Sequence, residues 1–302
     1  MNRPTRASEA GRAYLDLQNR ARAEGRGTQQ FLTLYVVERW LARLSASPHA
    51  DKFVIKGGML LAAYEARRPT ADLDALARWI ANDQGAIVSL VSDIARLPLN
   101  DGVEYQTETA TSRIIRDQAI YSGVRIAMDC AIATATVKFR LDVNFGDPVT
   151  PPPSTVALPS LRPGMEPVRV LGYPVETVLA EKIATAIALG PANTRVRDYA
   201  DIYTLTGSQP VGFRTAREAL LATAAHRGTT VQPLSGAAGN IADLRGRTFV
   251  AYRASLGNVG LRLPADFLTV VNAVTAFADP LATDAGDAAW QPAERQWSRL
   301  PD

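Results

Sequence analysis

The sequence is poor in the residues that build disulfides and zinc sites. Its 302 residues include one cysteine, Cys130, and two histidines, His49 and His226. A single cysteine excludes an intramolecular disulfide and fits a reducing compartment. Because the neighbours of Cys130 are apolar, we expect a buried thiol rather than a nucleophile. A structural zinc site needs about four cysteine or histidine ligands, so the sequence excludes that class of site.

Long hydrophobic runs are also missing. No apolar stretch reaches the roughly 18 residues of a membrane-spanning helix, and the arginine-rich segment 1–26 lacks the apolar core of a signal peptide. Lysine is scarce, and most of the positive charge is therefore arginine, which binds phosphate bidentately. With a net charge of +3 and 47% hydrophobic residues, the composition predicts a soluble cytoplasmic protein without a membrane partner. The four lysines are Lys52, Lys56, Lys138 and Lys182.

A compact motif begins at residue 53. The apolar run Phe53 to Ile55 predicts a short buried strand. Gly57 and Gly58 interrupt it, and two adjacent glycines permit a sharp turn and the close approach of a ligand to the main chain. The segment from Met59 to Ala66 then predicts a short helix whose N-terminal N–H groups face a phosphate.

Two carboxylates follow this turn. Asp72 and Asp74 flank Leu73, so both project from one face of a strand. Such a pair repels unless a cation lies between the acids, and hard oxygen ligands suit Mg²⁺. Taken alone, the same residues also fit a plain glycine turn with a helix cap at Thr70 or Asp72. The combination of both motifs, 13 residues apart, favours the metal site.

A lysine with unusual surroundings lies further along the chain. The segment from Pro174 to Gly190 predicts a helix that places Lys182 within an apolar stripe, next to Val178 and Leu179. A lysine there must extend its ammonium group to solvent or meet an anion. We favour a phosphate, because a compact ammonium group neutralises triphosphate oxygens and stabilises a leaving pyrophosphate.

The next predicted helix, 193–205, turns two acids toward its apolar side. These are Asp198 and Asp201. Buried acids are costly unless they are paired, so a structural bridge from Lys182 to Asp198 is the alternative to the phosphate, and both roles are compatible. The cations available as partners are Lys182, Arg195 and Arg197.

These motifs together resemble a known family. Gly-Gly followed by Asp-x-Asp is similar to the signature of the polymerase-β-like nucleotidyltransferase superfamily. The extended form, Lys56-Gly57-Gly58 with Arg68-x-Thr70-x-Asp72-x-Asp74, resembles the AbiEii/MenT group of bacterial nucleotidyltransferase toxins. Glu181-Lys182, followed by Arg195-x-x-Asp198-x-x-Asp201-Ile202-Tyr203, is similar to the second half of that pattern. The resemblance covers roughly residues 50–205.

The resemblance implies a metal-dependent enzyme that uses Mg²⁺ or Mn²⁺. Asp142, framed by apolar neighbours on a later predicted strand, fits the position of a third metal-binding carboxylate beside Asp72 and Asp74. From the residues alone, a solvent-exposed face on which Arg140 pairs with Asp142 remains equally open. The implied catalytic residues are Asp72, Asp74, Lys182 and Asp198. The implied nucleotide contacts are Lys56, Gly57, Gly58, Thr70, Lys182 and Arg197.

The resemblance also implies a biological role. Similar proteins are toxins that add nucleotides, often pyrimidines from CTP or UTP, to the 3′ acceptor end of tRNA and so block translation and growth, and each is encoded beside an antitoxin. A first alternative is an antibiotic-modifying nucleotidyltransferase, which would share Asp72 and Asp74. A second is an inactive nucleotide-binding or interaction module. The intact pair of acids argues against this second alternative.

The pattern of the whole chain predicts an α/β (α+β) fold. We expect a nucleotidyltransferase core with a mixed sheet over residues 1–160 and a mostly helical lobe over 161–302. A cleft between them is expected to bring Asp72, Asp74 and Asp142 opposite Lys182 and Asp198. The predicted helices are 7–25, 29–46, 79–97, 215–226, 241–256 and 264–278, and the predicted strands are 103–115, 123–131 and 134–145.

Two further segments, one rich in proline and one containing tryptophans, complete the prediction. Residues 146–167 are expected to form a stiff, extended connection because of their many prolines. The tail from Trp290 to Trp297 either docks through its aromatic rings or is loose, as termini often are.

Overall fold

The computed structural model describes residues 3–68, 70, 72–117, 121–283 and 286–299. The chain divides into two compact units. The first consists of Met1–Ala63, Arg67–Gly146 and Ser154–Gly172, and the second of Tyr64–Ala66, Asp147–Pro153 and Tyr173–Asp302. No described helix is both long and apolar enough to cross a membrane.

Seven strands form one mixed sheet in the described part of the first unit. They are β1 Phe53–Lys56, β2 Leu73–Ala77, β3 Glu104–Asp117, β4 Tyr121–Ile132, β5 Ala135–Phe145, β6 Ser154–Leu158 and β7 Val168–Gly172. Their order across the sheet is β3-β4-β5-β2-β1-β7-β6. The pairs β2–β5 and β1–β7 are parallel, whereas the other neighbouring pairs are antiparallel. The predicted mixed sheet and α/β class are confirmed.

Four helices of the described part of the first unit pack against this sheet or against one another. They are α1 Glu9–Ala23, α2 Thr28–Ala46, the single turn α3 Gly57–Leu60, and α4 Gln84–Ala95. The indole ring of Trp40 on α2 packs against the rings of Phe53, at 5.8 Å, and Phe139, at 5.5 Å. Since Phe139 belongs to the apolar side of β5, the polar side of β5 faces away from α2.

The second unit is mainly helical and also contains a small sheet. Its helices are α5 Val175–Leu189, α6 Val196–Thr206, α7 Phe213–His226, α8 Leu234–Ala238, α9 Ile241–Ser255 and α10 Phe267–Ala278. Among the described residues, β8 Val211–Gly212, β9 Ala288–Gln291 and β10 Gln296–Arg299 pair in the order β10-β9-β8. The described tail docks: Trp290 is 1% exposed, and its indole N–H donates to the carbonyl of Thr206 at 2.6 Å.

Three sequence predictions need correction. The helix expected from Trp79 begins only at Gln84, because Asp83 caps it by accepting the N–H of Ala86 at 2.7 Å. The connection 146–167 is not wholly extended linker, since Ser154–Leu158 forms β6 and pairs with β7. The helix expected over Met59 to Ala66 is one α-turn, Gly57–Leu60, followed by a 3₁₀ turn over Leu61–Tyr64.

Candidate active site

The glycine pair lies directly against the predicted carboxylates. Gly57 follows β1 with φ +68°, a conformation that favours glycine. A Cβ atom there would lie 2.0 Å from Oδ2 of Asp74, and one on Gly58 would lie 2.8 Å from Oγ1 of Thr70. Both contacts are too short for any side chain. The two glycines therefore let the main chain approach Asp74 and Thr70.

Charged side chains form a row across four neighbouring strands. Lys56 on β1 pairs in register with Asp74 on β2, Asp74 with Asp142 on β5, and Asp142 with Arg125 on β4. Register partners in a sheet project from the same face, so the row reads cation, acid, acid, cation. Asp72 precedes β2 on the same face by its period of two.

Arg125 is the residue that sequence reasoning missed. Its guanidinium donates to both carboxylate oxygens of Asp142 at 2.6 Å and lies 3.6 Å from Asp72. These hydrogen bonds to Asp142 raise the pKa of Arg125, and the negative charges of Asp142, Asp72 and Asp74 add to the effect against the opposing influence of burial. Arg140, which one of the two open interpretations paired with Asp142, lies 3.8 Å from Asp72.

The donors present fit a divalent cation in part. Asp72 and Asp74 offer hard oxygen ligands, and Mg²⁺ is commonly held by one or two carboxylates together with substrate phosphates. The two oxygens of Asp142 are both engaged by Arg125. Accordingly, the described residues contain no group of three or more acidic, histidine or cysteine side chains placed to hold a metal ion. The assignment of Asp142 as a third ligand stays a prediction.

Thr70 supports the loop that carries the first acid. Its hydroxyl donates to the main-chain carbonyl of Asp72 at 3.1 Å. The same hydroxyl is the atom that a Cβ on Gly58 would strike. Thr70 therefore links the glycine turn to the segment that leads into β2.

A second cluster of opposite charges lies within the second unit, between α5 and α6. The ammonium group of Lys182 donates to Asp198 at 2.9 Å and to Asp201 at 2.8 Å, and Arg195 lies 2.7 Å from Asp198. The side chains of Lys182, Asp198 and Asp201 are 13%, 3% and 4% exposed. The structural bridge weighed from the sequence is therefore present, and it includes Asp201 as well.

The charge of Asp198 is stabilised by its surroundings. Burial alone would raise the pKa of this carboxyl group. Attraction to Lys182, Arg195 and the exposed Arg197, together with the hydrogen bond from Lys182, outweighs burial and lowers that pKa. Asp198 is thus held ionised inside the helical unit.

The structure thereby gathers the predicted residues into two groups. Those of the first unit are Lys56, Gly57, Gly58, Thr70, Asp72, Asp74 and Asp142, and those of the second are Lys182, Arg197 and Asp198. The prediction that a cleft brings the two groups together stays a prediction.

Comparison with known proteins decides the family. Residues 39–293 match the model of the nucleotidyl transferase AbiEii toxin of type IV toxin–antitoxin systems. The chain belongs to the AbiEii nucleotidyltransferase toxin family. The match contains both charged groups described above. No curated protein sequence matches the chain significantly.

Three solved structures are similar to this AbiEii family member, and one of them has a TM-score above 0.5. The nucleotidyltransferase toxin MenT4 (Rv2826c) from Mycobacterium tuberculosis H37Rv is 16% identical, with a TM-score of 0.54 over 92% of this chain and 90% of that chain. A "putative nucleotidyltransferase from H. pylori" is 13% identical, with a TM-score of 0.44 over 85% of this chain and 96% of that chain. JHP933 from Helicobacter pylori is 14% identical, with a TM-score of 0.42 over 80% and 89%. At these identities the likeness to MenT4 shows the fold, and the predicted resemblance is confirmed.

Proposed function

We propose that this AbiEii toxin transfers a nucleotidyl group from CTP or UTP to the 3′ acceptor end of tRNA and so blocks translation. The observation that supports the proposal is the row of acids beside the glycine turn. Asp74 lies against Gly57, so a triphosphate bound along the turn would lie close to the carboxylates. The family supplies the reaction class, while the nucleotide and the acceptor belong to this proposal.

Asp72 and Asp74 would hold Mg²⁺ or Mn²⁺ in this reaction. Such an ion, when bound, activates the attacking hydroxyl group and neutralises charge on the leaving pyrophosphate. In this proposal the main-chain N–H groups of Gly57 and Gly58, at the beginning of α3, would donate to phosphate oxygens. Lys56, which neighbours Asp74 in the row, adds a positive charge near the same phosphates.

Lys182 and Arg197 complete the proposed contacts to the triphosphate. Lys182 keeps 13% of its side chain exposed while it holds Asp198 and Asp201, and Arg197 is exposed on α6. In this proposal Asp198 is a positioning residue, because it fixes the ammonium group of Lys182. A cognate antitoxin is the expected protein partner, and the cytoplasm, where NTPs and tRNA occur together, is the expected place of action.

Labelled nucleotides test the reaction directly. The protein is incubated with each α-labelled NTP, Mg²⁺ and total RNA, in parallel with Asp74→Ala and with an EDTA control. We expect label from CTP or UTP in RNA of tRNA size, no label with Asp74→Ala, and none in EDTA. Label that appears only in small molecules would overturn the tRNA acceptor and favour the antibiotic-modifying alternative. No label from any NTP would overturn the proposed activity.

Expression in a bacterial host tests the toxin role separately. We expect induced protein to stop growth, and Asp74→Ala to relieve the arrest. Transfer to tRNA without growth arrest would separate the enzyme activity from the toxic effect.

A further inference from the structure

One exposed aromatic residue lies at the end of β2 that is remote from the glycine turn. Trp79 follows β2 and is 69% exposed. The other three tryptophans, Trp40, Trp290 and Trp297, pack against other rings. Trp79 therefore stands out among the tryptophans of the chain, all of which the structure describes.

The backbone holds Trp79 in an unfavourable conformation. Its φ is +54°, a region that bulky side chains seldom adopt. The preceding residue is fixed by the sheet, because the N–H of Arg78 donates to the carbonyl of Lys52 at 2.9 Å. The turn at Trp79 thus costs conformational energy and leaves a large apolar ring in water. Such strain points to a function for the side chain.

Two cations flank the indole ring. The guanidinium carbon of Arg78 lies 4.0 Å from the ring centroid and the ammonium nitrogen of Lys52 lies 5.7 Å from it. Within the described part of the chain, neither cation has an ion-pair partner. An exposed ring combined with unpaired cations is suited to a stacked base next to a phosphate. Hydrophobic protein partners, in contrast, favour larger apolar patches.

The position excludes the incoming nucleotide as the ligand of this ring. β1 and β2 are antiparallel, with Lys56 opposite Asp74 at one end and Phe53 opposite Ala77 at the other. Lys52 and Trp79 extend the second end, and roughly 13 Å of strand separate Lys52 from Lys56. A base on Trp79 would therefore belong to another part of a bound strand or to a second molecule.

We propose that Trp79, Arg78 and Lys52 form a binding site for an unpaired base of single-stranded RNA and its phosphate. Trp79 supplies the stacking surface, and the two cations neutralise the backbone. The site goes beyond the proposed transfer reaction, since it requires neither an NTP nor a particular acceptor end.

Binding of a 12-nucleotide oligouridylate to the intact protein, without NTP, tests the site. Because Trp79 is the exposed tryptophan, we expect saturable quenching of intrinsic fluorescence. For variants, anisotropy of a labelled oligonucleotide gives the affinity. Trp79→Ala should weaken binding by between about fivefold and about a hundredfold, whereas Trp79→Tyr should retain most of it. Trp79→Gly also removes the ring, but glycine adopts the positive φ without strain. It should bind as weakly as the alanine variant, which would show that the loss does not come from a backbone defect in Trp79→Ala.

Matched variants test the specificity of these effects. Leu261→Ala removes an apolar side chain that is 72% exposed, and Arg22→Ala removes an exposed arginine of α1. Both should bind like the wild type. Arg78→Ala and Lys52→Ala should each lower the slope of log affinity against log salt by about 0.7.

Two results would overturn the proposal. One is unchanged oligonucleotide binding by both Trp79→Ala and Trp79→Gly. The other is quenching of Trp79 by an acidic peptide but not by oligouridylate, which would assign the residue to a protein partner. Since no NTP is present, neither result bears on the transfer reaction, and a failed transfer assay leaves this binding test intact.

Discussion

The charged groups around Arg125 in the first unit and around Lys182 in the second differ in how firmly the cation is held. In the first unit, Arg125 is 26% exposed and Asp142 and Asp72 are 11% and 34% exposed. In the second, Lys182 is 13% exposed, and Asp198 and Asp201 are nearly inaccessible. Solvent reaches Arg125 and Asp72 of the first cluster, whereas both acids of the second are nearly inaccessible.

This difference separates an exchangeable site from a fixed one. Ion pairs near solvent contribute little to stability, so Arg125 can leave the partly exposed Asp72 at small cost when another cation arrives, while its two hydrogen bonds to the more buried Asp142 are the stronger contact. Removing one partner of a buried pair is strongly destabilising, because it leaves an uncompensated charge. We infer that the first cluster is built to accept a divalent cation, and that the second is built to hold one lysine in place.

The largest effect is expected from the acids of the first cluster. Asp74→Ala should lower nucleotidyl transfer by at least about two to three orders of magnitude, on the scale of losing several kcal/mol of charge stabilisation. Because the change also removes like-charge repulsion within the row, the melting temperature should change little. Initial rates and thermal melts measure both, with Asp93→Ala, an exposed acid of α4, as the control. Wild-type turnover by Asp74→Ala would remove this residue from the site, and Asp72→Ala is tested in the same way.

Replacement of Lys182 should have the next largest effect, and this effect is on the free energy of unfolding. Lys182→Met leaves Asp198 and Asp201 buried without their shared cation, so the free energy of unfolding should fall by about 3–5 kcal/mol. Urea denaturation measures this loss. A merely snorkelling lysine would give a neutral or stabilising variant instead.

A compensated variant isolates the proposed phosphate contact of Lys182. Lys182→Met with Asp201→Leu removes one acid and should recover much of the lost stability. If Lys182 also binds triphosphate, the recovered protein should remain at least about a hundredfold less active. Activity that returns together with stability would limit Lys182 to a structural role.

The sequence predicted some residues of the first cluster and missed others, and each outcome has a physical reason. Gly57 and Asp74 were found because a glycine pair and alternating acids are local patterns, and the structure shows the close approach between them. Arg125 was missed because its partner depends on the register of β4 against β5, which no local pattern encodes. The sequence therefore offered only two interpretations of Asp142, a third metal ligand or a partner of Arg140 on the same strand, and neither included Arg125.

The fold shows the same division between local and distant information. The helices predicted over 29–46 and 241–256 were located to within a few residues, and for 29–46 the apolar residues recur at helical spacing, which is read from neighbours. β6 was missed, because the prolines before it suggested a linker and its strand partner lies beyond them in β7. Trp79 was placed in a helix that in fact begins after the Asp83 cap, so its exposed ring was not predicted.

Arg125 should show a smaller, metal-linked effect. In metal-free buffer, Arg125→Met removes two hydrogen bonds to the largely buried carboxylate of Asp142, and the free energy of unfolding should fall by about 1–3 kcal/mol. Its removal releases the oxygens of Asp142, so Mg²⁺ should raise the melting temperature more in this variant than in the wild type. Arg140→Met, whose guanidinium lies 3.8 Å from Asp72, is the control and should change less. An equal response to Mg²⁺ in both variants and the wild type would contradict the exchange of cations.

The smallest effect concerns the second cluster and the pH dependence of the stability that Asp198 contributes. The pKa of Asp198 is lowered in the folded protein, because attraction to Lys182 and Arg195 exceeds the effect of burial. A carboxyl group of this kind stabilises the fold above its unfolded pKa of about 3.9, and the contribution is lost as pH falls through the lower folded value. Asp198→Asn should therefore reduce the free energy of unfolding by about 1 kcal/mol at pH 7, since Lys182 keeps Asp201.

Urea denaturation at several pH values checks this prediction. The difference between the wild type and Asp198→Asn should be constant from pH 7 to about pH 5 and should shrink below about pH 4. Asp93→Asn removes an acid that pairs with Arg96 on the surface, with both side chains more than half exposed, and its difference from the wild type should be near zero at every pH. A difference for Asp198→Asn that stays unchanged down to pH 3 would mean that Asp198 is not held ionised by Lys182 and Arg195. The inference that the second cluster holds its cation more firmly than the first would then lose its support.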